Sequence, residues 1–147
     1  MKFKSIDEKW MKYAFNLAKK SKLDVPVGSV LVLNDIIIGK GYNSILKSKD
    51  PTAHAEIIAI RAGSKKINNY RINNSILYVT LEPCIMCIGA ILHARIKKII
   101  FSLFNKTKLS YKKFHFILKS LDMKDFKNIH LKKKCNKQIK DFFKKIR

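Results

Sequence analysis

The residues with the clearest chemical potential are four side chains in two short segments. His54 and Glu56 stand two positions apart, and Cys84 and Cys87 follow some thirty residues later at i and i+3. Imidazole and thiolate are ligands that zinc prefers, and a catalytic zinc has three protein ligands and one open position for water. The two segments therefore predict an open zinc site, with Glu56 beside the metal and not bound to it.

Two helices are predicted to begin at these segments. Thr52 can cap a helix over residues 53–62, and Pro83 suits the first turn of a helix over residues 83–94. The positive end of a helix favours thiolate over thiol, and a bound metal lowers the thiol pKa further. Both cysteines are therefore suitable anionic ligands. A structural zinc site or two ordinary core cysteines are alternatives, but neither gives Glu56 a role.

The order H-x-E followed by P-C-x-x-C is the pattern of zinc-dependent nucleobase deaminases. Zinc lowers the pKa of its bound water towards neutrality, so hydroxide is available at pH 7. Glu56 is placed to take a proton from that water and to pass protons to a ring nitrogen and a departing amine. The predicted reaction is hydrolytic deamination, in which hydroxide attacks an amidine-like carbon and ammonia leaves.

Length and cysteine usage predict one domain in a reducing compartment. A chain of 147 residues can bury a core of its own, so we expect a single deaminase domain over residues 1–147. Cys84 and Cys87 belong to the metal motif, so Cys135 has no cysteine left with which to form a disulfide. The lack of a disulfide framework favours the cytoplasm over an oxidising compartment. The basic start of the chain lacks the apolar stretch of a signal peptide, and no apolar run reaches membrane-spanning length.

The formal net charge of +22 is the second strong feature. Such a charge attracts polyanions through counterion release, and a tRNA-sized partner fits it. The abundance of Lys, Ile and Asn is also what an A+T-rich coding sequence would give, so composition leaves both explanations open. Residues 106–147 hold 15 basic and 3 acidic residues, so a polyanion would meet this part of the chain first.

The first half of the chain predicts a helix and a hairpin that precede the metal motif. Asp7 can cap the helix, whose apolar face is Trp10, Met11, Ala14, Leu17 and Ala18. Two β-branched runs over residues 27–33 and 36–39, separated by Asn34 and Asp35, predict a two-residue β-hairpin covered on both faces. A polar loop over residues 44–51 then leads to the His54 helix.

The metal motif is predicted to lie between strands. The His54 helix is apolar almost all round, and Gly63 is expected to end it. Strands over residues 76–80 and 97–101 flank the cysteine helix, and such a crossover should be right-handed with parallel strands. The candidate site would then lie at the carboxyl ends of strands, where open α/β sheets usually bind ligands.

The last third of the chain has weaker patterns. Helical spacing relates Phe114, Ile117, Leu118 and Leu121. Residues 126–131 are predicted as a short fifth strand. A final helix has an apolar stripe that we expect to be core, formed by Leu131, Cys135, Ile139, Phe142, Phe143 and Ile146. Its other face is almost wholly lysine, and it is either solvated or turned towards RNA.

Five segments resemble the bacterial tRNA-specific adenosine deaminases. They are PVGSV at 26–30, DPTAHAE at 50–56, LYVTLEPCIMC at 77–87, GAILHAR at 89–95 and DFF at 141–143. The resemblance covers about residues 8–102 and resumes in the last helix. It implies an α/β fold of the cytidine deaminase type, with three α/β/α layers and a mixed sheet of about five strands. It also implies a homodimer that converts the wobble adenosine of a tRNA anticodon to inosine.

The resemblance also assigns roles residue by residue. His54, Cys84 and Cys87 would bind one zinc ion per subunit, and Glu56 would be the proton shuttle during attack on C6 of adenosine. Asn43 matches the asparagine that hydrogen-bonds the flipped base in the family. With Ala55 and Asn105 it makes up the predicted set of substrate-binding residues.

The chain departs from the family after the fourth predicted strand. The family usually has a run close to Ala-Arg-Asp-x-Lys-x-Gly, whereas this chain has LFNKTK at 103–108. Asn105 stands in place of an acidic residue near the target nucleotide. An amide can hydrogen-bond a ribose hydroxyl or a phosphate without repelling phosphate, so we hypothesise a weaker preference for RNA over DNA. Deamination of matched RNA and DNA hairpins tests this, and an undetectable DNA rate would contradict it.

Three other functions fit parts of the sequence. A deaminase of a free base or nucleoside, such as guanine or cytidine, would use the same metal site but needs no basic face. A riboflavin-pathway deaminase would have a longer cysteine spacing, and a non-catalytic RNA-binding subunit would typically lack Glu56.

The remaining histidines are predicted to be structural or exposed; they are His93, His115 and His130. Arg95 and Lys106 are predicted either to contact phosphate or to be solvated.

Overall fold

The computed structural model describes residues 5–106 and 119–146, and five strands within them form one mixed sheet in the order β2-β1-β3-β4-β5. The strands are β1 Gly28–Leu33, β2 Ile36–Tyr42, β3 Ile76–Leu81, β4 Lys98–Leu103 and β5 Asp122–Asp125. The helices are α1 Ile6–Ala18, α2 Ile45–Ser48, α3 Ala55–Ile67, α4 Ile85–His93 and α5 Ile129–Lys145. β1 runs antiparallel to β2 and β3, whereas β3, β4 and β5 are parallel.

Helices cover both faces of the sheet and give three layers. Side chains of a strand point alternately to opposite faces, so neighbouring residues of β1 belong to different cores. Leu31 packs with the core residues of α3 and α4, whereas Val30 and Val32 pack with those of α1 and α5. The predicted three-layer α/β/α arrangement is confirmed, and so is the parallel pairing of the two strands that flank the cysteine helix.

The predicted β-hairpin is confirmed at its turn. Asn34 and Asp35 have φ angles of 51° and 59°, and a two-residue hairpin turn with positive φ at both positions matches the twist of the strands. The expectation of cover on both faces is right for β1 and wrong for the start of β2, where Ile36 is 59% exposed. β2 is an edge strand of the described sheet, so β1 is its only neighbouring strand there.

Two glycines of β2 allow α3 to lie directly on the sheet. A Cβ atom at Gly39 would stand 2.0 Å from the Ala59 carbonyl oxygen, and one at Gly41 would stand 2.2 Å from that of Ala55. Any side chain at either position would push the helix away from the strand. This contact fixes the height of the first turn of α3 above the sheet.

The predicted start of α1 is wrong, because the helix begins slightly earlier in the chain than expected. Ser5 caps the helix, and its hydroxyl accepts the Glu8 N–H at 3.2 Å. Asp7 lies within the first turn and accepts a hydrogen bond from the Tyr78 hydroxyl at 2.7 Å. The predicted buried face of the helix is confirmed, because all five of its apolar residues are buried.

Both predicted ends of α3 are also wrong. The helix begins at Ala55 with His54 as its cap, and the Thr52 hydroxyl instead donates to Asp50 at 2.7 Å. It continues past Gly63 to Ile67. Gly63 lies within the helix and packs closely on the sheet, where a Cβ atom would lie 2.7 Å from Leu31 Cδ2. The isoleucines of the helix are half-buried, so it is packed on one side and not enclosed as predicted.

The C-terminal strand lies four residues before its predicted position. β5 occupies Asp122–Asp125, and the predicted span over residues 126–131 instead holds a loop and the start of α5. The Asn128 side chain accepts the Leu131 N–H at 3.1 Å and so begins the helix within that span. The polar loop predicted over residues 44–51 contains the short helix α2. The helical pattern at Phe114, Ile117 and Leu118 lies outside the described residues.

The apolar stripe of α5 is core only in its first half. Leu131 and Cys135 are buried against β4, as predicted. Ile139 and Phe142 are half-buried, while Phe143 is 41% exposed and Ile146 is 64% exposed. The second half of the stripe extends beyond the core. Among the described helices, none has the length and apolar character needed to cross a membrane.

Candidate active site

The two metal-motif segments meet, and each lies at the start of a helix. His54 is the cap of α3 and Cys84 is the cap of α4, while Cys87 lies in the first turn of α4. The His54 Nδ1 atom is 3.6 Å from the sulfur atoms of both cysteines. The three ligand atoms lie within 4.8 Å of one another, so the group could hold one metal ion.

The donor atoms also have the spacing that zinc requires. Tetrahedral bonds of about 2.0 Å to nitrogen and 2.3 Å to sulfur place those two atoms about 3.5 Å apart. The hydrogen bonds of Cys84 with Cys87 and with His54 lower the pKa of the Cys84 thiol to about 4. The same bond with Cys84, together with burial, raises the pKa of Cys87. The side chains present therefore fit a zinc ion with one nitrogen and two sulfur ligands.

Glu56 lies beside this cluster with its carboxyl group withdrawn from solvent. The residue is 3% exposed and belongs to the first turn of α3. Burial raises the pKa of the Glu56 carboxyl to about 7, and the positive charge of His54 opposes that rise. A carboxyl group that titrates near neutral pH can both accept and donate a proton under the same conditions, as a general acid–base group must.

A cavity of about 780 Å³ lies directly above the cluster. Its lining residues are Val25, Val27, Asn43, Ile45, His54, Glu56, Leu81, Glu82, Cys84, Ser102, Leu103, Phe104, Asn105, Lys106, Lys132, Asn136, Ile139 and Phe143. Pockets of this size and mixed lining hold small organic ligands, so a nucleobase fits. His54, Glu56 and Cys84 of the metal motif line it, and residues from β4, the segment after it and α5 form much of the rest.

Of the three predicted substrate-binding residues, Asn43 and Asn105 line the cavity and Ala55 does not. Asn43 links two structural elements: its Oδ1 accepts the Ala55 N–H at 2.9 Å, and its Nδ2 donates to the Val25 carbonyl at 2.9 Å. Ala55 is fully buried. The Asn105 N–H donates to Glu82 Oε1 at 3.2 Å, which joins the segment after β4 to the segment after β3.

The sequence patterns did not indicate the contribution of α5 or of several residues outside the motif, among them Glu82 and Phe104. Lys132, Asn136, Ile139 and Phe143 of α5 all line the cavity, as do Glu82 and Phe104. One feature of the sequence could have indicated the role of α5. Its apolar stripe continues to Ile146, whereas only Leu131 and Cys135 of the stripe are buried in the core. Lys106, predicted either to contact phosphate or to be solvated, lines the same cavity, whereas His93, Arg95 and His130 lie away from it. His115 is outside the described residues.

Comparisons with known proteins agree with this geometry. Residues 4–103 match the family model of the cytidine and deoxycytidylate deaminase zinc-binding region. The tRNA-specific adenosine deaminase of Haemophilus influenzae is 47% identical over 154 residues, covering 96% of this chain and 85% of that protein.

Solved structures of deaminases also match the chain. A structure from a study of A-to-I editing by tRNA:A34 deaminases at the wobble position matches with a TM-score of 0.74 at 31% identity, covering 80% of this chain and 97% of that one. Guanine deaminase of Bacillus subtilis matches with a TM-score of 0.64 at 40% identity, covering 66% and 64%. The fold is thus of the cytidine deaminase type, as the sequence predicts. The chain belongs to the tRNA-specific adenosine deaminases of the cytidine and deoxycytidylate deaminase family.

Proposed function

We propose that this protein deaminates the wobble adenosine of a tRNA anticodon to inosine. The observation that carries the proposal is the meeting of His54, Cys84, Cys87 and the buried Glu56 at one end of a base-sized cavity. The first three residues would hold zinc, which when bound supplies a nucleophilic water at neutral pH. The family membership of the chain supports adenosine in tRNA as the substrate.

Glu56 is proposed as the group that moves protons. Its raised pKa lets it accept a proton from the nucleophile and deliver protons to N1 of the purine and to the departing N6 amine. Its burial keeps bulk water from competing for those protons. The reaction breaks the C6–N6 bond, forms a C6–O bond and releases ammonia.

Asn43 and Asn105 are proposed to contact the substrate directly. The Asn43 amide carries two N–H groups, and the bond to Val25 occupies one of them, so the other can serve a base. Asn105 lines the same cavity and can reach a ribose hydroxyl or a phosphate. For Ala55 we propose an indirect part, because its N–H holds the Asn43 side chain in place.

The charge distribution supports a nucleic acid over a free base. α5 both lines the cavity with Ile139 and Phe143 and carries a series of exposed lysines. These are Lys133, Lys134, Lys137, Lys140, Lys144 and Lys145. A base in the cavity would thus have its flanking phosphates near a basic helix, which a free purine would not need.

The deciding experiment compares an anticodon stem-loop carrying adenosine at the wobble position with free guanine, cytidine and adenosine. We expect inosine in the stem-loop and no turnover of the free compounds. A stem-loop with adenosine moved to the neighbouring position is the matched control and should react much more slowly. Turnover of a free compound alone would overturn the proposal.

We also propose a homodimer formed through α4. Its outward face is apolar and half-exposed at Met86 and Ala90, and a Cβ atom at Gly89 would meet nothing within 4 Å in the protomer. Gly89→Arg should therefore leave the protomer folded and convert a dimer to a monomer, as measured by light scattering. A wild-type monomer, or a dimer that survives the substitution, would contradict this interface.

The single domain over residues 1–147 and a cytoplasmic location are further parts of the proposal. All three cysteines, Cys84, Cys87 and Cys135, lie in described parts of the chain and are free thiols. Two of them must stay reduced to bind a metal, which the cytoplasm ensures.

A further inference from the structure

Phe104 is a large aromatic residue that lines the cavity and yet remains 56% exposed. It follows β4 directly, three residues after Phe101, which is only 4% exposed. The two rings meet edge to face, with centroids 5.1 Å apart and an interplanar angle of 75°. The Lys132 Nζ atom lies 5.8 Å from the centroid of the Phe104 ring. Phe101 and Lys132 therefore hold the ring in place while more than half of the residue remains accessible.

The backbone around Phe104 is fixed as well. The Glu82 N–H donates to the Leu103 carbonyl at 2.7 Å, and the Asn105 N–H donates to Glu82 Oε1 at 3.2 Å. The residues on both sides of Phe104 are thus tied to the same glutamate. A ring on a fixed backbone loses little conformational freedom when a ligand packs on it, which favours binding.

The charges near this ring fit a nucleic acid. Lys106 and Lys132 line the same cavity as Phe104. Lys132 is paired with Asp125, and the Glu82 carboxylate in the same cavity accepts the Asn105 N–H. Within residues 5–106 and 119–146, Lys106 forms no ion pair. A fixed aromatic ring beside basic side chains is the arrangement that proteins use to bind single-stranded nucleic acid, because every base has a face that can stack.

We propose that Phe104 stacks against the base next to the target adenosine in the anticodon loop. The inference rests on the proposed function, in which the target base leaves its stack and enters the cavity. Extrusion leaves the neighbouring base without a stacking partner on one side. Phe104, at the mouth of the same cavity, replaces that partner, while Lys106 lies within reach of the adjoining phosphate.

The test measures stacking directly with a fluorescent base. Two anticodon stem-loops carry 2-aminopurine on the 5′ or the 3′ side of the wobble position, which itself holds a purine without the 6-amino group so that no deamination occurs. Extrusion of the wobble base unstacks 2-aminopurine and raises its fluorescence, whereas stacking on an aromatic ring quenches it again. We expect the fluorescence of one of the two stem-loops to be lower when it is bound to wild-type protein than when it is bound to Phe104→Ala.

Binding and kinetics of a variant series complete the test. Stacking is worth about 1–3 kcal/mol per base, so Phe104→Ala should weaken stem-loop binding about 5- to 150-fold. Phe104→Trp should retain affinity, whereas Phe104→Leu should behave like the alanine variant. The effect should fall on KM, with kcat changed less. Tyr70→Ala is the matched control, because Tyr70 is 63% exposed and lines a different cavity.

The possible failures are distinguishable. If wild-type protein leaves the wobble adenosine of a stem-loop intact, the proposed function fails and this inference with it. If wild-type protein makes inosine while Phe104→Ala binds and quenches as wild type does, only the stacking inference fails. Equal affinity of the leucine and wild-type proteins would also overturn it, because the residue would then be a mere apolar cover.

Discussion

The two ends of the cavity are built in different ways. The floor consists of His54, Glu56 and Cys84 at the starts of α3 and α4, with the buried Cys87 behind them. The His54 Nδ1 atom lies 3.6 Å from each of the two sulfur atoms. The rim consists of residues 104–106 and the cavity-lining side chains of α5, several of them exposed. Chemistry requires fixed distances, which buried helix starts provide, whereas a polyanion tolerates an open and charged surface. Substitutions in the floor should therefore affect the chemical step, and substitutions in the rim should affect binding.

Loss of Cys84, a proposed metal ligand, should have the largest effect. Cys84→Ala leaves one imidazole and one thiolate, which are too few to hold a catalytic zinc. We expect bound zinc and inosine formation both to fall below detection. Measured zinc content and single-turnover deamination of the stem-loop check this, and a chelator should inactivate the wild-type protein in the same way.

Cys135→Ala is the matched control for that substitution. Cys135 is buried against β4 away from the cluster, so its loss should cost about 1–3 kcal/mol of stability through the cavity it leaves. Zinc content should stay at the wild-type level. Retention of zinc by Cys84→Ala, or its loss in Cys135→Ala, would contradict the assignment of Cys84 and its neighbours as the zinc ligands.

Removal of Glu56, the proposed proton-moving group, should have the next largest effect. Glu56→Gln keeps the shape of the side chain but cannot exchange protons, so kcat should fall about 10²- to 10⁴-fold. Zinc content and stem-loop affinity should stay close to those of the wild type, because the substitution changes the chemical step alone. A tenfold loss of affinity with unchanged kcat would place Glu56 among the binding residues instead.

Asn43 lies between floor and rim, so its substitution should affect both chemistry and binding. Asn43→Ala leaves the Ala55 N–H and the Val25 carbonyl without their partner, which should cost about 1–3 kcal/mol of stability. Thermal unfolding measures that loss. Because the side chain holds the first turn of α3 and faces the cavity, we expect kcat to fall and KM to rise.

Asn43→Asp tests the donor role of the side chain. The carboxylate can still accept the Ala55 N–H, but it cannot donate to a base, and the Val25 carbonyl oxygen repels it. Substrate affinity should therefore fall as far as in Asn43→Ala, and stability should fall as well. Equal affinity for the wild-type and aspartate proteins would remove Asn43 from the proposed binding residues.

The residues of the floor could be proposed from sequence because each half of the motif is local. A two-residue spacing at the start of one helix and an i, i+3 spacing at the start of another place each pair of side chains together, and the order of the two pairs is the deaminase pattern. The helix start at α3 was predicted two residues early, since Thr52 is a good cap by type but its hydroxyl bonds Asp50 instead. The hairpin turn was predictable for the same local reason.

The rim could not be predicted because it depends on long-range packing. Periodicity identifies the apolar stripe of α5, but it does not reveal that the core ends after Cys135 and that Ile139 and Phe143 line a cavity. β5 has one apolar residue, Met123, between charged ones, so no strand pattern marks it. The exposure of Phe104 likewise follows from where β4 ends and not from its neighbours in sequence.

The right-handed sense of the crossover from β3 through α4 to β4 remains a prediction.

The smallest expected effect separates functional charge in the rim from compositional bias. If Lys106 contacts a phosphate, Lys106→Gln should weaken stem-loop binding a few-fold and lower the slope of log affinity against log salt by about 0.7 to 1. Lys65→Gln removes the same charge from α3, where Lys65 lines a different cavity, and should leave the slope unchanged. Both variants keep the same net charge, so a difference between them reports position and not total charge. Equal slopes would mean that the net charge of +22 attracts RNA only as a whole and that Lys106 makes no phosphate contact of its own. The rim would then recognise bases through its apolar side chains alone.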